Sequence, residues 1–129
     1  MSGPVRYLDL DDVVGMATRL LGDPPPIKDL GLLGSAIARP QATAFGAEAY
    51  PGLVSKAAAM LQSIVNNHAL VDGNKRLGWL ATAVFLELNS VDANRVPNND
   101  VFELVMWIAS STPDLEEIVV RLEQLLFRG

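Results

Sequence analysis

The sequence predicts an all-α protein, a small bundle of helices wrapped around one central helix. Apolar residues recur at three- and four-residue steps, the period of a single helix face. Short breaks separate the periodic stretches, with no repeat, linker or low-complexity tract between them. The stretch Leu77 to Leu88 is interrupted only by Gly78, Thr82 and Glu87. A helix apolar on nearly all sides is a buried one, so this segment is expected at the centre.

The first helix is expected to open at Asp9, with Leu8 and Val13 as a hydrophobic staple, and to run to about Leu21. Gly22 and Pro24-Pro25-Pro26 stop it. The segment Gly31 to Ala49 is rich in Gly, Ala and Thr and has Pro40 in its middle. It lacks a sustained helical period and reads as a loop holding a small hairpin. Pro51 suits the first turn of a second long helix, carried by Leu53, Ala57, Met60, Leu61 and Ile64 and ending near His68. After a turn through Asp72-Gly73, another helix runs from about Asn74 to Asn89. Asn99 or Asp100 is the expected cap of the next, and Thr112 with Pro113 opens the last, which ends near Phe127.

A chain of 129 residues fits one domain, 1–129, and can bury a core without covalent staples. It has no cysteine, which removes disulfides, thiolate metal sites and a cysteine nucleophile together. No apolar run approaches the roughly 18 residues of a membrane span, and Met1-Ser2-Gly3-Pro4 does not begin a signal peptide. A cytoplasmic protein without membrane contact is expected. The net charge of -5 disfavours general nucleic-acid binding, which needs cations against phosphates. A local basic cluster still suits one small anion.

Such a cluster lies in His68-Ala69-Leu70-Val71-Asp72-Gly73-Asn74-Lys75-Arg76. Read one residue at a time, this is an ordinary corner: Asp-Gly for the turn, and a histidine at a helix end. Read together, it is harder to explain by folding alone. Lys75 and Arg76 fall in the first turn of a helix, where the macrodipole favours acidic residues. An anion among them resolves the conflict, and helix N-termini are ready-made phosphate sites. Gly73 allows close backbone approach, and Asn74 adds an amide. Asp72 offers the hard oxygen that Mg²⁺ takes alongside phosphates. His68 is the only histidine, a residue type that titrates near neutral pH and suits general-base work. The combination predicts phosphoryl or nucleotidyl transfer. A P-loop is excluded because G-x-x-x-x-G-K-S/T is absent, and zinc because one histidine and no cysteine cannot supply its ligands.

These residues resemble the H-x-F-x-D/E-G-N-G/K-R motif of the Fic superfamily, matching at His68, Asp72, Gly73, Asn74, Lys75 and Arg76. Lysine before the arginine is similar to the death-on-curing branch. Leu33 to Pro40 followed by Phe45-Gly46 resembles that branch's flap. The resemblance implies a Fic-type helical bundle with a small flap or hairpin. Leu70 replaces the usual phenylalanine anchor, and burial of leucine there is expected to keep the loop. Trp79 stands where adenylylating relatives have a second arginine, and no internal inhibitory S/T-x-x-x-E-G/N motif is found.

The resemblance implies a toxin kinase that moves the γ-phosphate of ATP to a threonine of elongation factor Tu and is restrained by a separate antitoxin. By carry-over, His68 deprotonates the target hydroxyl and Asp72 holds Mg²⁺. Asn74, Lys75, Arg76 and the Gly73 backbone hold the phosphates, consistent with a reaction that asks mainly for positioning and charge stabilisation. The alternatives are a Fic-type adenylyltransferase, moving AMP to a protein hydroxyl, and a non-catalytic antitoxin-binding protein. The half-apolar composition further predicts an exposed groove for an amphipathic antitoxin segment that folds on binding.

Overall fold

The structure, a computed structural model, describes residues 3–128. It is helical, as expected, with one two-stranded hairpin. Helix α1 (Leu10–Leu21) starts on a reciprocal cap: Asp12 N–H donates to Asp9 Oδ1 at 2.8 Å and Asp9 N–H to Asp12 Oδ2 at 3.0 Å. Leu8 and Val13 are both buried around that cap, and Gly22 ends the helix at φ 116°.

The segment read as a loop is instead partly helical. Helix α2 (Leu30–Ala38) is capped by Asp29, whose Oδ1 accepts from Leu32 N–H at 3.0 Å. Its Leu33, Ala36 and Ile37 share one buried face. A nine-residue helix with two glycines is marginal alone, so packing against α3 stabilises it rather than local propensity. A 3-10 turn, Arg39–Gln41, leads into the hairpin of β1 (Thr43–Ala44) and β2 (Ala47–Glu48). Thr43 pairs with Glu48 and Ala44 with Ala47, antiparallel. The flap is therefore shorter than the resemblance suggested, since Leu33 to Ala38 belong to α2.

Helix α3 (Leu53–Asn67) begins after Gly52 at φ 87°, with Pro51 outside it rather than in its first turn. Helix α4 (Asn74–Leu88) follows the candidate loop. The central helix is α3, not α4 as its apolar run suggested: α3 packs against α2, the 3-10 turn, α4, α5 (Asn98–Ser111) and α6 (Leu115–Phe127). Trp79, Leu80, Val84 and Leu88 of α4 are only half-buried, along open grooves between α4 and its neighbours α1 and α5. Gly78 brings α3 and α4 together, since a Cβ there would sit 3.0 Å from Val65 Cγ2.

Two expected caps are also displaced. Pro97, not Asn99 or Asp100, precedes α5. Thr112 terminates α5 in the left-handed region at φ 42°, and Asp114 opens α6, its N–H donating to Glu117 Oε1 at 3.0 Å. No helix is long and apolar enough to cross a membrane among the described residues.

Candidate active site

The corner between α3 and α4 is built from two left-handed residues. His68 ends α3 at φ 55°, ψ 43°, with its side chain exposed. Gly73 opens α4 at φ 90°. A Cβ on Gly73 would lie 2.7 Å from both Leu21 methyls, so glycine is required by conformation and by the approach of α1.

Between them the chain is pinned on both sides. Ala69 O accepts from Lys28 N–H at 2.9 Å and from Asp29 N–H at 3.0 Å, and Val71 N–H donates to Pro26 O at 2.9 Å. Ile27 and Leu70 form an antiparallel bridge. From the other side Asn74 Oδ1 accepts from Leu70 N–H at 3.1 Å while Asn74 Nδ2 donates to Leu70 O at 3.0 Å. Leu70 is 1 % exposed, so leucine fills the anchor position as expected.

This framework leaves an open helix end. Gly73 supplies no side-chain cap, and the first turn of α4 contains no acidic residue. Lys75 and Arg76 are exposed there and make no ion pair among the described residues. Uncapped backbone N–H groups and two free cations together suit an anion. Asp72, which precedes Gly73 in the chain, is exposed, and so is His68 at the other end of the loop. His68, Asp72, Lys75 and Arg76 are thus all exposed within one nine-residue corner, with Gly73 half-buried between them. Asn74 is on the same loop, but its amide faces inward, where it closes the turn on Leu70. No three His, Cys, Asp or Glu side chains gather among the described residues to hold a metal. The donor set that Asp72 offers fits Mg²⁺, which takes one or two carboxylates with phosphate oxygens and water.

Sequence reasoning missed the supports. Pro26 to Asp29 carried no signal beyond the proline stop, yet they hold the loop. Leu21 looked like an ordinary last-turn residue. The hairpin is clamped by two cations that the sequence did not single out. Arg39 donates to Tyr50 Oη at 2.8 Å, Ala59 O at 2.9 Å, Gln62 Oε1 at 2.8 Å and Ser63 Oγ at 2.9 Å. Lys56, 1 % exposed, donates to Tyr50 O and pairs with Glu48 at 3.0 Å. The hairpin itself is wholly exposed, with Phe45 at its tip at φ 54°.

A helical bundle with an exposed histidine and an uncapped, doubly cationic helix N-terminus at the two ends of one corner carries residue types suited to an anionic group and a base. The family model for the Fic/DOC family matches residues 7–86, which include the whole of this corner. The chain is also 45% identical over 118 residues to Toxin Doc of Mycolicibacterium smegmatis, covering 91% of each protein. It belongs to the Fic/DOC family, in its Doc branch.

Proposed function

We propose that this chain is the toxin of a type II toxin–antitoxin module, a protein kinase that transfers the γ-phosphate of ATP to a threonine of elongation factor Tu in the cytoplasm and so arrests translation. The observation that carries the reading is the open N-terminus of α4, with Lys75 and Arg76 free and exposed on the corner that also carries the exposed His68. The similarity to Toxin Doc supports the toxin reading.

In this reading the α4 N–H groups, Lys75 and Arg76 hold the phosphates and offset charge in the transition state. Asp72 would hold Mg²⁺, which neutralises phosphate charge when bound. The threonine oxygen attacks the γ-phosphorus, its proton passes to His68, and the bond to the β–γ bridging oxygen breaks to release ADP. The clamped hairpin presents unpaired strand edges on which a target segment docks by main-chain hydrogen bonds.

The antitoxin partner is read as an amphipathic segment of a separate chain, seated in a trough of about 740 Å³ between Arg6–Leu8, α1 and α4. Met16, Leu80, Val84 and Leu88 contribute apolar surface, while Arg6, Arg19, Asp11 and Asp12 offer both charges to its polar side.

The test is incubation with elongation factor Tu and ATP labelled at either the α- or the γ-phosphate. Transfer of γ-label alone is expected. Transfer of α-label would put adenylyl transfer first, and transfer of neither would leave the non-catalytic, antitoxin-binding reading.

A further inference from the structure

We infer that Phe45 is an anchor that seats in an apolar pocket of the protein substrate, held in position by Arg39, Tyr50 and Lys56; that the partner is the substrate rests on the reading above. Two features of the hairpin tip work against folding. Phe45 is 108% exposed, more than any other large apolar residue among the described residues. Its φ of 54° lies in the left-handed region, which costs a bulky L-residue. With Gly46 at φ 79° it forms a two-residue turn whose first position favours asparagine, aspartate or glycine. Phenylalanine there gains neither burial nor turn preference. Strain kept in this way collects at binding segments, and aromatic side chains are the usual anchors of protein contacts.

The hairpin cannot hold that tip by itself. Its strands have two residues each, and a lone hairpin of that size is unstable in water. Ala49 N–H donates to Ala42 O at 2.9 Å and closes its base. The remaining support comes from α3. Lys56, buried on that helix, donates to Tyr50 O and pairs with Glu48 Oε1 at 3.0 Å. Arg39 Nε donates to Tyr50 Oη, and its guanidinium carbon lies 5.0 Å from the Tyr50 ring centroid. Its Nη1 reaches Ala59, Gln62 and Ser63 of α3. Burying a lysine is costly even when it is paired, and a wholly exposed hairpin covers no core in return.

The partner that fits is the protein carrying the hydroxyl, not a second copy of this chain. Ala59, Gln62 and Ser63 precede His68 on one continuous helix, roughly 8 to 14 Å back along its axis. Tip, clamp and proposed base are therefore tied to a single helix. A segment held on Phe45 keeps its register against His68, which is what positioning of a reacting group requires. Self-association needs no such tie.

Steady-state phosphorylation of elongation factor Tu, and calorimetric binding of the same protein, test this with Phe45→Asn. The substitution gives the turn the Asn-Gly pair it prefers, so melting is expected at or above the native temperature. KM for elongation factor Tu is expected to rise about tenfold, the scale of one aromatic anchor, with kcat and the KM for ATP unchanged. Phe45→Leu, which keeps an apolar tip, should restore part of the loss. Tyr50→Phe removes the Arg39 acceptor and keeps the ring. It is expected to raise the same KM severalfold, and far less in a Phe45→Asn background. An unchanged KM and binding constant in Phe45→Asn would overturn the anchor. So would a lower melting temperature with kcat and KM impaired together, the mark of a structural role. Loss of self-association with a native KM would overturn it too, giving the tip to a second copy. Absence of γ-label transfer by the native chain counts against the kinase reading alone, since binding of elongation factor Tu that is about tenfold weaker in Phe45→Asn still supports the anchor. No binding by the native chain would overturn both.

Discussion

The side chain of Asn74 forms a two-bond ring with the backbone of Leu70, accepting from its N–H at 3.1 Å and donating to its carbonyl at 3.0 Å. The ring ties the start of α4 to the loop that carries His68 and Asp72. Asn74→Asp keeps an acceptor, loses the donor and sets a negative oxygen against the Leu70 carbonyl. A loss of about 1–3 kcal/mol in urea unfolding is expected, with target phosphorylation reduced as the loop loosens. Native stability in Asn74→Asp would show that the ring does not hold the loop.

Gly73 is constrained twice, by φ 90° and by Leu21 methyls 2.7 Å from any added Cβ. Gly73→Ala is expected to destabilise by at least the roughly 1–2 kcal/mol of a left-handed L-residue. In a double-mutant cycle with Leu21→Ala, the steric part is relieved and the conformational part remains. A coupling of about 0.5–3 kcal/mol is expected, whereas strictly additive effects would deny the contact.

His68 sits in the left-handed region, so substitutions there separate chemistry from folding. Asparagine tolerates that conformation, and His68→Asn is expected to match the native melting temperature. Alanine adds the modest conformational cost but leaves an exposed position that the core does not need. Both variants are expected to lower target modification by about 10²–10⁴-fold, the usual worth of a general base. A folded His68→Asn that modifies its target at the native rate would remove the proposed role.

In the proposed reaction, Lys75 is expected to decide which phosphorus faces the attacking hydroxyl. With glycine at this position the helix start leaves a small anion nest into which terminal phosphates can sink, bringing the α-phosphate into line. Lysine adds bulk and charge at the rim and, in the proposed reading, is expected to keep the γ-phosphate nearest His68. Lys75→Gly is therefore expected to lower γ-label transfer, measured on elongation factor Tu with ATP labelled at each phosphate. Unchanged γ-label transfer would show that Lys75 does not orient the nucleotide.

The α1–α4 trough predicts coupled folding of an antitoxin segment. Mixing the two chains is expected to increase helical circular dichroism and to give a negative heat-capacity change. Val84→Asp, at a half-buried position on the trough, should weaken the complex without unfolding the toxin. A complex with neither new helicity nor a heat-capacity change would mean another mode of binding.

The sequence by itself determined the features governed by neighbours along the chain. The Asp9 cap, the Gly22 stop, the left-handed corner at Gly73 and the run of chemistry-bearing residues from His68 to Arg76 all depend on backbone preferences acting over a few residues. The tertiary structure decided what depends on distant partners. Helix α2 forms because α3 covers its one apolar face, which its two glycines could not announce. The apolar run of α4 resembled a core helix, yet the centre went to α3, and the Trp79 side of α4 was left beside open grooves. Thr112 was as good a cap locally as Asp114, and the direction in which α5 ends settled between them. Asn74 turned inward because Leu70 has a buried backbone N–H and carbonyl that need partners, and burial is a property of the assembled chain.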